Sequence, residues 1–169
     1  TILGLLVVYV VFCFGKEISG SLTGWTAAFL TAFAPIQLYH AQEVRMYIIL
    51  ELSLLVYAWM SWRIFVSGNT RKINWIIIIA GGVGAFYSHN LAIFILIVPD
   101  IILFIHKQWR SLGKLITAQV VMALLFIPWL LFVPGQIEKI QTAFWTPRPG
   151  LVEIIQGIGN LYGFLPQPI

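Results

Sequence analysis

Charge is scarce in this chain: of 169 residues only 10 are Lys or Arg and 6 are Asp or Glu, a charged fraction of 9%. A soluble domain carries about a quarter, so there is too little polar surface here to cover a globule in water. That excludes a soluble enzyme. The formal net charge of +4 comes from scattered basic residues, without the run that tracks a phosphate backbone, so a nucleic-acid partner is excluded as well. Cysteine is nearly absent. Cys13 stands alone inside an apolar run, so there is no disulfide framework and the redox compartment cannot be read from it. Internal repeats, low-complexity segments and a glycine-rich phosphate loop are missing too; Gly81-Gly82-Val83-Gly84 lies in mid-run, where small residues let helices pack closely.

Apolar residues are what the chain has in abundance, at 60% hydrophobic with a mean hydropathy of +0.92. Long uncharged runs name a bilayer as the solvent, and at about 20 residues per span they accommodate about six helices. The expected fold is all-α, a polytopic transmembrane helix bundle over residues 1–133. Residues 134–169 are then the start of an extracytoplasmic loop.

The runs predict spans at 2–15, at 22–38 with Pro35 near its far end, at 46–65, and at 115–133 with a kink at Pro128. Residues 16–21 read as a polar turn, and 67–72 and 106–114 as basic loops. Residues 74–106 are too many for one span, and a polar cluster at their midpoint would sit at the bilayer centre. Two short helices meeting at Ser88-His89-Asn90 solve this. Within the tail, Leu151, Val152, Ile154, Ile155, Ile158, Leu161 and Tyr162 recur at helical spacing, which predicts an amphipathic helix lying at the outer surface.

With loops alternating sides, one side receives Lys16, Arg63, Arg71, Lys72, Lys107, Arg110 and Lys114, and the other Arg45, Lys139 and Arg148. Seven against three makes the first side cytoplasmic by the positive-inside rule. The tryptophans agree, with Trp25, Trp59, Trp62, Trp75 and Trp109 near inner ends and Trp129 and Trp145 near the outer boundary. The expected location is the plasma (inner) membrane, multi-pass, with the active face extracytoplasmic.

Chemistry is densest at Tyr39-His40-Ala41-Gln42-Glu43-Val44-Arg45-Met46-Tyr47, where two spans meet on the outer side. Arg45 offers a planar fork of donors to a phosphate, and Gln42, Glu43, His40 and Tyr47 stand around it as candidate binding residues. The competing reading is an interfacial loop whose charges are merely solvated. His89 and Asn90 reach the same compartment in the next outer turn, where a histidine at a helix end is more often a hydrogen-bonded cap than a ligand. His40 and Glu43, at i,i+3 spacing, together with His89 are the candidate set for a divalent ion, though no ligand pair repeats. Two acids lie inside spans. Glu51, at i+4 from Tyr47, is read as facing a cavity or partner, and Asp100, following Pro99, as structural.

The segment Ala34-Pro35-Ile36-Gln37-Leu38-Tyr39-His40-Ala41-Gln42-Glu43-Val44-Arg45-Met46-Tyr47 resembles the signature of polytopic GT-C glycosyltransferases, in the protein mannosyltransferase and aminoarabinose transferase superfamily. Tyr87-Ser88-His89-Asn90, Ile127-Pro128-Trp129 and Gln136…Phe144-Trp145…Pro147 follow in the family's order. The resemblance implies an integral-membrane enzyme that takes a sugar from a polyprenyl-phosphate carrier at the outer face by inverting displacement, with Arg45 neutralising the leaving phosphate. It also implies a catalytic Asp in an outer loop upstream of Thr1, so the chain is expected to be an internal fragment, inactive alone. Asn90 stands where the family carries an aromatic and Glu51 where it carries an apolar residue. The alternative function is a segment of a multi-pass transporter or flippase for a lipid-linked or anionic substrate, with Arg45, Glu51 and His89 lining its path.

Overall fold

The apolar run that opens the chain forms a continuous helix, α1 (Ile2–Ser19), followed by α2 (Ser21–Ala32), α3 (Pro35–Gln42), α4 (Tyr47–Phe65) and α5 (Lys72–Ser88). A 3₁₀ turn (Asn90–Ala92) leads into α6 (Ile93–Leu96), α7 (Val98–Ile105) and α8 (Trp109–Leu130). The structure is a computed structural model, and it describes residues 2–42 (backbone alone for 40–42), 46–132, 135, 150–152, 154, 156 and 157. Among the described residues every regular element is helical. Of the amphipathic helix expected over 151–162, residues 151, 152, 154, 156 and 157 are described and are helical, and the others lie outside the described residues.

Three of the described helices are long and apolar enough to cross a membrane: α1, α4 and α8, of 18, 19 and 22 residues. The segments Lys72–Ser88 and Asn90–Ile105 are shorter apolar helices. Ile2, Leu22 and Leu131 are more than three-quarters exposed, at 77%, 81% and 77%. A large apolar surface of this kind belongs against lipid, and the chain is a membrane protein.

Close helix contacts set the arrangement. At the turn between α1 and α2, Gly20 takes φ 89°, a left-handed conformation that glycine adopts without strain. The two helices then run antiparallel so closely that a Cβ on Gly24 would lie 2.7 Å from the Phe12 carbonyl oxygen. Helices α4 and α5 are also antiparallel, with Phe65 edge-on to Trp75 at one end and Ser53 against Gly84 further along. Gly81 backs onto the α4 backbone at Ser53 and Tyr57, and Gly82 onto Met122 of α8, the packing role expected for that glycine cluster. Helix α8 runs parallel to α5: Trp75 and Lys114 share a cleft at one end, while Phe86 and Phe126 pack at 5.3 Å near the other. Tyr57, Met60, Ile78, Leu115 and Met122 fill the core between α4, α5 and α8.

Several boundaries differ from the sequence expectation. Residues 16–21, expected as a polar turn, stay helical through Ser19, because Glu17 is satisfied sideways. Trp59 Nε1 donates to its carboxylate at 2.8 Å, and Arg63 Nε donates to its two oxygens at 2.7 and 2.9 Å. The span expected over 22–38 is divided between α2 and α3, with Pro35, which has no N–H to continue the ladder, opening α3. The last span begins at Trp109 instead of 115, shrinking the basic loop, and Pro128 lies inside α8. The break at 88–90 is present. Ser88 ends α5 and His89 is extended, at φ −159°, ψ 131°.

Because α1 and α4 finish together at the Glu17–Arg63 pair and α5 and α8 start side by side, the bundle has a basic end. Lys16, Arg63, Arg71, Lys72, Lys107, Arg110 and Lys114 gather there. The α3–α4 junction and the Ser88-His89-Asn90 turn lie at the opposite end.

Candidate functional site

Where α3 and α4 converge, at the end away from the basic residues, Ile36, Gln37, Tyr47, Leu50, Glu51 and Leu54 wall a cavity of about 300 Å³. Proline sets the start of α3, so Gln37 lies on its first turn and faces α4; the residue is only 5% exposed. With the amide oriented so that its nitrogen faces the carboxylate, the assignment that satisfies both groups, Gln37 Nε2 donates to Glu51 Oε1 at 2.6 Å and Oε2 at 2.7 Å. Tyr47 and Glu51 are i,i+4 on α4 and so share one face of it. The outcome is a carboxylate anchored by a buried amide, with lone pairs still turned toward a cavity at the small end of the range for ligand pockets. A carboxylate only accepts hydrogen bonds, so its complement is a ligand that brings hydrogen-bond donors, whether O–H or N–H.

The structure therefore brings together Tyr47 and Glu51 from the sequence candidates, and adds Gln37. Gln37 stands inside the Pro35 to Tyr47 signature, but nothing in the sequence pairs it with an acid fourteen positions on. Glu43 and Arg45 lie outside the described residues, as do the side chains of His40 and Gln42. In the sequence they fall between α3 and α4, the two helices that wall the cavity. His89 does what a helix-end histidine ordinarily does. Its Nδ1 accepts from the Leu91 N–H at 3.1 Å, capping the 3₁₀ turn, and Asn90 beside it is exposed. Neither residue lines the Glu51 cavity. Among the described residues no three His, Cys, Asp or Glu side chains converge as metal ligands; the candidate set of His40, Glu43 and His89 includes two side chains that lie outside them.

A second polar group lies deeper. The return segment after the 88–90 break is interrupted at Ile97, between α6 and α7. Tyr57 Oη donates to the Leu96 carbonyl at 2.9 Å, and Gln119 Nε2 lies 3.4 Å from that same oxygen. Gln119 Nε2 also donates to Asp100 Oδ2 at 2.6 Å, while Asp100 Oδ1 is buried with no hydrogen-bond partner among the described residues. Asp100 thus ties α7 to α8, in keeping with its structural reading.

Compared with known protein families, with curated proteins and with solved structures, the chain matches none.

Proposed function

We propose that this chain belongs to a multi-pass membrane transferase that moves a sugar from a polyprenyl-phosphate carrier to an acceptor at the outer face. The observation that supports the reading is the Gln37–Glu51 pair in a cavity between α3 and α4, the helices on either side of Arg45 in the sequence. Glu51 would accept from the sugar hydroxyls, and Arg45 would hold the phosphate. In an inverting displacement the acceptor oxygen bonds to the anomeric carbon as the carbon–phosphate oxygen bond breaks. The electron pair leaves with the phosphate beside Arg45, and the acceptor proton passes to a carboxylate base, which the resemblance gives as an Asp of an outer loop.

The test is Glu51→Gln and Glu51→Ala in the protein as its gene encodes it. Hydrogen bonds to a charged group contribute about 1.5–3 kcal/mol, so kcat/KM for the carrier should fall by roughly 10- to 100-fold, chiefly through KM. Kinetics within twofold of the unaltered protein, at an unchanged melting temperature, would remove the cavity from the reaction.

The topology proposed with it has six spans, the basic end cytoplasmic and the cavity outside. In a Cys13→Ala background, single cysteines at Ser67 and Asn90, both exposed, should react oppositely with an impermeant thiol reagent applied to intact cells. Equal labelling contradicts this topology.

A second reading has its own observation. An acid on an interrupted apolar segment, with one oxygen unpartnered, is what a transport path uses. Under that reading Asp100→Asn would abolish movement of a lipid-linked substrate across proteoliposomes while leaving carrier binding at the Glu51 cavity intact.

A further inference from the structure

Between the starts of the parallel helices α5 and α8, at the basic end, lies an open cleft of about 420 Å³. Its walls change character along its length. Thr70, Trp75 and Lys114 line it nearest the basic end, Thr117 one turn along α8, and Ile79 and Val121 furthest from that end. From Lys114 to Val121 is seven residues, about 10 Å along a helix. That is a step from the level of a phosphate group to that of the first acyl methylenes. The Thr117 hydroxyl spends its proton on the Gly113 carbonyl at 2.9 Å, leaving the oxygen beside Lys114 as an acceptor.

We infer that this cleft binds one anionic phospholipid of the adjacent leaflet, with its phosphate at Lys114 and an acyl chain along Ile79 and Val121. Three features select that occupant. The far half is apolar and offers nothing to a free ion, so a soluble phosphate would use only the half nearest the basic end. Trp75 is placed where an indole lies at headgroup depth in a bilayer. Arg71 and Lys72 open α5 and Arg110 precedes Lys114 by one helical turn, so the surroundings carry an uncompensated positive charge. Among the described residues, the acid at this end is Glu17, which is already held by Arg63 and Trp59. Basic pockets between helices on this face of a membrane protein suit anionic headgroups, each cation contributing roughly a fivefold preference.

The inference stands apart from the transferase reading, since cleft and Glu51 cavity lie at opposite ends of the bundle. To test it, the purified full chain is taken up in micelles containing equal amounts of phosphatidylglycerol and phosphatidylcholine, and retained lipid is counted by native mass spectrometry. Phosphatidylglycerol should be retained at least about fivefold over phosphatidylcholine. Lys114→Gln should cut that retention by about fivefold, and Val121→Phe, which fills the far half, should lower retention of both lipids. Lys16→Gln, on α1 at the same end, should change it by less than about twofold, and an excess of inorganic phosphate should displace nothing. Equal retention of the two lipids overturns the inference. So does a Lys16→Gln loss equal to that of Lys114→Gln, which would mean a diffuse field, or displacement by inorganic phosphate, which would mean an ion site alone.

Discussion

Arg45→Ala should lower sugar transfer by roughly 100- to 1,000-fold in the protein as its gene encodes it, with expression close to normal. Removing a preorganised donor to developing charge costs about 3–4 kcal/mol in the transition state, whereas a solvated loop arginine contributes under about 0.5 kcal/mol. The two roles are far enough apart to be separated by one rate measurement. Lysine keeps the positive charge and loses the planar fork, so Arg45→Lys should recover part of the rate. Carrier binding should weaken alongside, because the phosphate is present before the bond breaks as well as after. Near-normal transfer by the alanine variant refutes the phosphate role and puts the transporter reading ahead.

The second large effect concerns the fold. Gly24→Leu should destabilise the bundle by about 3 kcal/mol, the upper part of the ordinary range for overpacking. The first carbon of any side chain there would meet a backbone oxygen of Phe12 at 2.7 Å and the Lys16 backbone nitrogen at 3.0 Å. Neither atom can rotate away as a side chain could, so α1 and α2 must separate, and with them the Phe12–Trp25 ring contact at 4.8 Å. Gly113→Ala should act with the opposite sign. A Cβ there meets nothing within 4 Å, and replacing glycine by alanine inside a helix favours the helix by about 0.5–1 kcal/mol. Thermal unfolding of both variants in one detergent checks the pair. Equal melting temperatures would mean that the α1–α2 contact does not set stability.

What could be read from the sequence was whatever the bilayer penalises. Ser88-His89-Asn90 interrupts an apolar run, and polar groups at mid-depth are costly enough that the break was legible there. Tyr47 and Glu51 shared a helix face by spacing alone, and a membrane-buried acid marks itself by its rarity. What escaped were partners far along the chain. Glu17 looked like part of a polar turn because Trp59 and Arg63, the residues that satisfy it, come 42 and 46 positions later. Gln37 looked like one more residue of a signature until α3 folded it onto α4. The interruption at Ile97 had a local signal in Pro99, which stands in the first turn of α7 and has no N–H for the Ile95 carbonyl; what escaped was that the Leu96 carbonyl is met by side chains of α4 and α8.

That last arrangement bears on how the protein is made. A helix that satisfies its own backbone can enter a bilayer alone, but the stretch from Asn90 to Ile105 is interrupted and relies on Tyr57 and Gln119 to receive its Leu96 carbonyl. Tyr57 has already been synthesised when this stretch emerges from the ribosome; Gln119 has not. Tyr57 alone therefore holds that carbonyl until α8 arrives, and Gln119 then adds its contacts to Leu96 and Asp100, fastening an otherwise apolar return segment last.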